Sequence, residues 1–375
     1  MADHGIIVGD CPTPIWGLTS HERIRRIFKA RGVPVRDETG QGSAPIAADD
    51  RVVLADARFA FDPAWMRAIL EQPTVLTWEG RPLLANVRGA DAEAVRQAME
   101  TGAPWTAPAG VTVMAADGDA TVYNHELRKR ERPFVEPLLP EAVRDIERKS
   151  YYGAYKGVTD LLTKYVWPEL ALVLTRWAAK LGMTPNMVTA IGFVLCIGAT
   201  VAFFEGHLWL GMLMGWIMMV LDTVDGKLAR CTITSSKIGN IFDHGIDLIH
   251  PPFWYWAWLA GLAAYGTPVG SEAYGLLLWV IFGTYILGRV IEGIFEWRYK
   301  MHIHVWQKID SQFRLITARR SPNVLILLVA LVFGRPDIGI YLVALWSILS
   351  LLFHTVRLGQ AFASRKPIVS WMSAS

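Results

Sequence analysis

The part of this chain after about residue 145 is made of long apolar segments with few charges, and these strongly limit its possible folds. Segments of this length and composition belong in a bilayer. Because lipid offers no partners to backbone polar groups, an open chain crosses it only as α-helices. Six spans are predicted, near Asn186–Phe204, Leu208–Lys227, Ile238–Tyr265, Ala273–Trp297, Pro322–Phe333 and Ile338–Phe362. The fifth span is short for an apolar layer of about 30 Å.

A segment before the first span, Tyr165–Leu181, mixes apolar and charged residues, which predicts a helix lying on the membrane surface. The chain is therefore expected to combine a small soluble α/β N-terminal domain with an interfacial helix and an α-helical integral membrane bundle of six transmembrane helices. The expected limits are residues 1–145 for the soluble domain, 146–183 for the interfacial linker and 184–366 for the membrane domain.

The N-terminal region alternates short apolar runs with helical patterns. Strands are predicted at Gly5–Val8, Val52–Ala55 and Thr74–Trp78, and helices at Ser20–Ala30 and Pro63–Glu71. This alternation is typical of an α/β layer fold.

Basic residues mark one side of the membrane. They occur between spans two and three and between spans four and five, whereas the loops 205–207 and 266–272 contain no lysine or arginine. The basic loops predict the cytoplasmic side. We therefore expect a multi-pass protein of a bacterial inner membrane, with the N-terminal domain, the active site and the C-terminus in the cytoplasm. A net charge of +3 is too small to indicate a nucleic-acid partner.

Four aspartates, Asp222, Asp225, Asp243 and Asp247, lie in the apolar stretch 211–260, where a carboxylate is costly. Spacings of three and four residues put two carboxylates on one face of each helix. Such a cluster repels itself unless cations compensate it. All-oxygen ligands favour Mg²⁺, then Mn²⁺ or Ca²⁺, and two such ions are expected.

The aspartates belong to two motifs, Asp-Thr-Val-Asp-Gly-Lys-Leu-Ala-Arg and Gly-Asn-Ile-Phe-Asp-His-Gly-Ile-Asp. They resemble the signature of the CDP-alcohol phosphotransferase family, DxxDGxxAR followed by GxxxDxxxD, at every fixed position. The resemblance covers residues 151–366. It implies transfer of a phosphoalcohol group from a CDP-linked donor to a hydroxyl acceptor, with release of CMP. It also implies that Asp222, Asp225 and Asp243 bind metal, while Asp247 lies near the second ion and is the general base.

The resemblance further implies a donor-binding surface of mostly small residues, for which close helix packing is the alternative interpretation. Arg230, the last residue of the first motif, would contact the donor phosphate or pair with an aspartate. Asn186 lies in a Thr-Pro-Asn sequence at the start of the first span, and the resemblance makes it a candidate nucleotide contact. The alternative is an ordinary helix start with proline in the first turn. The implied donor-binding residues are Asn186, Asp222, Gly226, Ala229, Arg230 and Gly239.

Three arginines near the cytoplasmic ends of spans, Arg319, Arg320 and Arg357, are candidates for binding an anionic acceptor. Membrane anchoring under the positive-inside rule is the alternative. Arg289, Glu292 and Glu296 recur at helical spacing inside span four and predict an internal ion-pair network.

Two other groups of residues are interpreted without a ligand. The histidines at 302 and 304 are expected to be solvated, because their spacing is poor for metal binding on a helix. The aromatic run at 253–258 is expected to face the membrane or its interface.

The leading functional hypothesis is an enzyme of phospholipid biosynthesis that uses CDP-diacylglycerol and a small hydroxyl acceptor. The alternative within the same chemistry is a CDP-polyol or CDP-amino alcohol donor, with diacylglycerol, ceramide or a polyol phosphate as acceptor. A transporter or a non-catalytic scaffold would also explain intramembrane acids, but neither requires the complete motif. Members of the family are commonly homodimers, so a homodimer is expected.

The N-terminal domain resembles sugar-nucleotide cytidylyltransferases in its order of a strand, a glycine-containing turn and a helix. It lacks a recognisable glycine-rich phosphate loop followed by a lysine, which favours a docking or regulatory role. We therefore predict that the full-length protein releases no pyrophosphate from CTP and a phosphorylated polyol. A coupled pyrophosphate assay, with an active cytidylyltransferase as positive control, tests this, and sustained release would contradict it.

Overall fold

The computed structural model describes residues 3–36, 45–116, 122–124, 127, 129–235 and 237–372. Side chains are described over the same ranges except at 122–124, 130, 131, 237, 238 and 240–244. Internal contacts divide the chain into two compact units. The N-terminal unit comprises Met1–Tyr155, Arg176–Gly182 and Lys227–Thr234, and the membrane unit comprises Lys156–Thr175, Met183–Gly226 and Ser235–Ser375.

The N-terminal unit contains nine short strands and four helices among the residues described. The strands are β1 (Asp3–Val8), β2 (Arg51–Asp56), β3 (Phe59–Phe61), β4 (Thr74–Trp78), β5 (Arg81–Arg88), β6 (Thr112–Ala115), β7 (Val122–Asn124), β8 (Lys129–Glu131) and β9 (Val135–Pro137). The helices are α1 (Ser20–Ala30), α2 (Pro63–Glu71), α3 (Gly89–Thr101) and α4 (Val143–Gly153). The predicted helices at 20–30 and 63–71 are confirmed with the same bounds.

A five-stranded mixed sheet, in the order β1-β2-β5-β4-β6, organises this unit. Successive side chains of β2 point to opposite faces, as its period of two requires. Val53 and Ala55 join the buried cluster that contains residues of α1 and α2, whereas Val52 and Leu54 join the cluster that contains α3. Helices therefore cover both faces of the sheet, which confirms the predicted α/β layer fold.

The membrane unit is helical. Its main helices, two of which also contribute residues to the N-terminal unit, are α5 (Pro168–Lys180), α6 (Pro185–Phe204), α7 (Leu208–Cys231), α8 (Lys237–Tyr265), α9 (Ser271–Tyr299), α10 (Lys308–Phe313), α11 (Arg320–Val332) and α12 (Pro336–Ala363). Among the residues described, four helices are long and apolar enough to cross a membrane: α6, α7, α9 and α12. The chain is therefore an integral membrane protein of helical type.

The third and fifth predicted spans coincide with α8 and α11. Over the residues described, these two helices do not have the combined length and apolar composition of the other four. Several side chains at the start of α8 lie outside the described part of the structure. Helix α11 has 13 residues, or about 20 Å at 1.5 Å per residue, which is less than the thickness of an apolar layer. Six spans thus remain a prediction, as does the surface position of α5.

Aromatic side chains of α8 form part of the bundle interior, so the expectation that the run at 253–258 faces the membrane is wrong for most of it. Trp254 and Trp258 are buried, and both pack edge-on against Phe203 of α6. Their indole nitrogens donate to the backbone oxygens of Cys196 and Pro336. These hydrogen bonds lower the cost of burying the two indole N–H groups. In this run Phe253 is exposed.

Helices α6 and α8 approach closely at Gly261. A Cβ atom at this position would lie 1.8 Å from the backbone oxygen of Phe203. We predict that Gly261→Ala lowers the thermal unfolding temperature of the detergent-solubilised protein, because overpacking of this kind costs about 1–3 kcal/mol. Tryptophan fluorescence during heating measures this. Gly283→Ala in α9 is the control, since a Cβ there meets no atom within 4 Å; equal unfolding temperatures for the two variants would contradict the prediction.

Candidate active site

Helix α7 carries the first pair of predicted aspartates, Asp222 and Asp225. Their spacing of three residues places them on one side of the helix. Asp225 is buried, and its Oδ2 accepts a hydrogen bond of 2.6 Å from the Thr189 hydroxyl of α6. A bundle of apolar helices thus encloses a carboxylate that has a specific polar partner.

Arg320 at the start of α11 joins the two acidic helices. Its Nη2 donates to Asp222 Oδ2 and its Nη1 to Asp247 Oδ1 of α8, each over 2.6 Å. Charge-assisted contacts of this length are among the strong hydrogen bonds of proteins. One guanidinium therefore brings together carboxylates 25 residues apart in sequence and offsets part of their charge.

Asp243 also belongs to α8, but its side chain lies outside the described residues. Asp247 follows it by one helical turn. The Asp247 side chain is 41% exposed and that of Asp222 is 21% exposed, so Asp247 is the more accessible carboxylate of this pair.

A small cavity opens beside the α7 aspartates, with about 220 Å³ of empty volume that includes the part open to solvent. Its lining is Thr189, Gly192, Phe193, Met218, Asp222, Asp225 and Ile246. Two carboxylates and a hydroxyl are hard oxygen donors of the kind that Mg²⁺ and Mn²⁺ prefer. The residues present therefore fit a divalent cation.

The other residues implied in donor binding lie at helix ends. Asn186 is exposed in the first turn of α6, Gly226 and Ala229 are half-buried in the last turns of α7, and Gly239 is in the first turn of α8. Arg230 Nε donates to the backbone oxygen of Ala154 over 3.1 Å, a contact that the sequence analysis did not anticipate.

Lys227 lies inside the first motif, and sequence reasoning missed it. Its buried ammonium lies 2.8 Å from the centroid of the Tyr155 ring and 5.1 Å from that of Tyr151. Cations at this distance are attracted by the negative face of the ring. The signal available in the sequence was the aromatic run Tyr-Tyr-Gly-Ala-Tyr at 151–155.

The three arginines proposed for acceptor binding lie in three different settings. Arg320 binds the aspartates, as described above. Arg319 donates to Glu292 over 2.5 Å. Arg357 is bound by Asp310 in a buried pair and lies 4.2 Å from the Trp306 ring. Among the described residues, Arg320 is thus the one of the three placed at the aspartates, because the half-buried Glu292 engages Arg319 and the buried Asp310 engages Arg357.

The predicted ion-pair network in span four is confirmed for Arg289 and Glu292 but not for Glu296, which is exposed. The expectation that both histidines are solvated is wrong. Arg289 donates to Glu292 over 2.9 Å. His304 is buried, and its Nε2 lies 3.3 Å from Glu292 Oε1, whereas His302 is exposed and pairs with Glu296. The segment after α9 folds back so that His304 is buried. The spacing of residues in the sequence does not reveal this change of direction.

Known proteins of one family are similar to the part of the chain that contains this site. Residues 182–350 match the family model described as CDP-alcohol phosphatidyltransferase. An archaetidylinositol phosphate synthase of Pyrococcus horikoshii is 29% identical over 172 residues, which are 45% of this chain and 80% of that protein. Cholinephosphotransferase 1 of Danio rerio is 31% identical over 32% of each chain. Ethanolaminephosphotransferase 1 of Homo sapiens is 28% identical over 41% of this chain and 42% of that one.

The chain therefore spans well under half the length of the choline and ethanolamine relatives. A solved phosphatidylinositol phosphate synthase of Mycobacterium tuberculosis, with CDP-DAG bound, covers 53% of this chain and 97% of its own, with 17% identity and a TM-score of 0.38. The same enzyme has been solved in complex with manganese and citrate. The named relatives are phosphotransferases or synthases, and residues 182–350 of this chain are similar to the CDP-alcohol phosphatidyltransferase family.

Proposed function

We propose that this chain is a membrane CDP-alcohol phosphotransferase that transfers a phosphoalcohol group from a CDP-linked donor to a hydroxyl acceptor and releases CMP. The observation that carries the proposal is the meeting of Asp222 and Asp247, from the two halves of a complete motif, at one guanidinium. A transporter or a scaffold would not need the complete motif, nor two of its carboxylates beside a hydroxyl in the wall of one cavity.

CDP-diacylglycerol is the donor we favour, with the product a phospholipid. In support, the archaetidylinositol phosphate synthase is matched over 80% of its length, and its name is that of a lipid-forming enzyme. The alternative is a CDP-polyol or CDP-amino alcohol donor with diacylglycerol, ceramide or a polyol phosphate as acceptor. The cholinephosphotransferase and ethanolaminephosphotransferase relatives favour this second reading.

Asp222, Asp225, Asp243 and Asp247 would hold two divalent ions, Mg²⁺ or Mn²⁺. When bound, such ions neutralise phosphate charge and lower the pKa of the attacking hydroxyl. The small residues Gly226, Ala229 and Gly239 would let the CDP group approach the helix backbones, and Asn186 and Arg230 would contact it.

Asp247 is proposed as the general base. In the transfer, the acceptor oxygen bonds to the phosphorus of the moving group, the bond between that phosphorus and the CMP oxygen breaks, and the acceptor proton goes to the Asp247 carboxylate. Its greater exposure suits a group that meets a second substrate. Arg320 must release or share this carboxylate before it takes the proton, so the arginine would set when the base is available.

The membrane arrangement is proposed to be six helices, α6 to α9, α11 and α12, with the basic loops, the active site, the N-terminal unit and the C-terminus in the cytoplasm. A nucleotide donor is water-soluble at its CDP end, which requires access from that side. The N-terminal unit is proposed to be a non-catalytic α/β domain, and the assembly a homodimer.

The roles of the aspartates are separable by substitution. We predict that Asp222→Asn and Asp243→Asn, or a chelator, abolish CMP release, because each removes charge needed at the transferring phosphate. Asp247→Asn should retain donor binding while turnover falls by roughly 10²- to 10⁴-fold, the usual loss on removing an acid–base group. CMP release and equilibrium binding of a labelled CDP donor, measured on the same preparations, provide the two readouts.

The control for this series is Asp337→Asn, an acid in the first turn of α12 that pairs with Arg335. It should leave both readouts unchanged. Full turnover in chelator would refute the metal assignment, and parallel loss of donor binding and activity in Asp247→Asn would show that Asp247 acts as a ligand.

Arg320 is predicted to act as the counter-ion of the aspartates when no metal is bound. Arg320→Ala should unfold at a lower temperature in chelator, since removing the guanidinium leaves the half-buried carboxylates of Asp222 and Asp247 without this counter-charge. Mg²⁺ should then raise the unfolding temperature of the variant more than that of the wild type, because the ion replaces the missing charge. Arg335→Ala is the control, since exposed pairs contribute about 1 kcal/mol or less; equal Mg²⁺ shifts in all three proteins would contradict the prediction.

A further inference from the structure

The end of α7 belongs to the N-terminal unit, although the rest of this helix belongs to the membrane unit. Residues 208–226 are part of the membrane unit, and residues 227–234 are part of the N-terminal unit. The division falls two residues after Asp225, inside the first acidic motif. Contacts inside the N-terminal unit that hold residues 227–234 therefore act on the helix that carries Asp222 and Asp225.

Lys227 is the first of these residues, and two tyrosine rings lie beside its ammonium group. The Nζ atom lies 2.8 Å from the ring centroid of Tyr155 and 5.1 Å from that of Tyr151. Only 2% of Lys227 is exposed. A buried ammonium group has lost its hydration, and its attraction to the negative face of a ring is then stronger than at an exposed site. The rings therefore fix the position of Lys227.

The tyrosines are themselves held by one another. The hydroxyls of Tyr151 and Tyr155 are hydrogen-bonded over 3.0 Å, and the two rings pack edge-on with centroids 5.3 Å apart. Tyr152 stacks on Tyr155 at 5.8 Å, and Tyr151 is fully buried. Aromatic pairs at such distances stabilise one another. Lys227 thus contacts an ordered group of rings, which we call the tyrosine cluster.

Two hydrogen bonds add to the contact of Lys227. Arg230 Nε donates to the backbone oxygen of Ala154 over 3.1 Å. Arg26 Nη1 of α1 donates over 2.9 Å to the backbone oxygen of Thr232, the residue that follows α7. Carbonyl groups at the end of a helix lack partners within the helix, and the guanidinium supplies one. Both α1 and the segment 151–155 therefore hold the end of α7.

The glycine at 226 gives these contacts a purpose. Gly226 separates Asp225 from Lys227 inside α7. Glycine weakens a helix relative to alanine, because its backbone loses more freedom on folding. Most of the stability of a helix in a protein comes from tertiary packing, and helix ends fray without it. Without contacts at its end, α7 would therefore lose order next to the aspartates.

Direct contact of Lys227 with a donor phosphate is the competing interpretation. Two residues along an α-helix correspond to a rotation of about 200° at 3.6 residues per turn, so Lys227 and Asp225 point to opposite sides of α7. Lys227 is not among the described residues that line the cavity beside Asp222 and Asp225. The geometry therefore favours an indirect role for this lysine.

We propose that Lys227 is a positioning residue. The tyrosine cluster binds its ammonium group and thereby holds Asp222 and Asp225 in the arrangement that binds the divalent ions. Asp225 is two residues away, about 3 Å along the helix axis at 1.5 Å per residue, so a displaced helix end would displace its carboxylate. The N-terminal unit then serves the reaction without catalysing one of its own. The inference rests on the proposed function for the role of the aspartates.

Hydrogen exchange tests the contact without metal. The full-length protein in nanodiscs is measured in chelator. Amides of 219–232 should exchange about 3- to 30-fold faster in Lys227→Met and in Tyr155→Leu, the factor that corresponds to a lost cation–π contact. Lys227→Arg keeps a cation and Tyr155→Phe keeps a ring, so both should stay close to the wild type. Peptides of α12 should exchange as in the wild type, because the effect is local.

Lys164→Met is the matched control, since Lys164 is exposed and lies 5.3 Å from the Tyr165 ring. It should exchange as the wild type does. The double variant Lys227→Met/Tyr155→Leu should change no more than the larger single variant, because both remove the same contact. If Lys227→Met does not fold, the two Tyr155 variants provide the same comparison. Additive effects, equal acceleration in α12, or wild-type exchange of 219–232 would overturn the proposal.

Metal binding tests the consequence for the aspartates. Mn²⁺ titrated into the same proteins and followed by electron paramagnetic resonance should bind with a Kd about 3- to 30-fold higher in Lys227→Met and Tyr155→Leu. Lys164→Met should bind as the wild type. In CMP release, the kcat of Lys227→Met should fall at low Mg²⁺ and recover at high Mg²⁺, while the KM of the CDP donor stays unchanged.

Unchanged Mn²⁺ affinity in a variant whose helix end exchanges faster would refute the positioning role. Loss of turnover that high Mg²⁺ does not restore would also contradict it. Absence of both Mn²⁺ binding and CMP release in the wild type would refute the proposed function instead. The exchange measurement would then still decide whether the tyrosine cluster holds the end of α7.

Discussion

The contact of Arg320 with Asp222 and Asp247 is the interaction on which the membrane unit depends. Carboxylates inside an apolar bundle are unfavourable unless an opposite charge lies within hydrogen-bond distance. The guanidinium meets that condition for two helices at once, because its nitrogens diverge in a plane and can serve two acceptors. The bundle can thus fold around its acidic site before any ion or substrate arrives.

Neighbouring arginines divide the interior into an acidic and a basic region. Arg320 points to the aspartates, while Arg319 points to Glu292, which it shares with Arg289. The start of α11 therefore carries two adjacent arginines that pair with different acids, Arg320 with Asp222 and Asp247, and Arg319 with Glu292.

Much of the architecture was predictable because it follows from local rules. The helices at 20–30 and 63–71 and the spans at α6, α7, α9 and α12 come from periodicity and length. Burial was harder to predict. Trp254, Trp258 and His304 were expected at the surface but are buried. Tryptophan and histidine occur both at the surface and in the interior, so residue type alone does not predict their burial.

The sequence by itself determined the aspartate motif and the presence of an apolar helical unit and an α/β unit, because these depend on residue type and spacing. Only the tertiary structure decided which charges are partners. In the structure, Arg320 pairs with the aspartates and Arg357 pairs with Asp310. Glu292 pairs with two arginines at once. Such pairings depend on the packing of helices far apart in sequence, and no spacing rule along one helix encodes them.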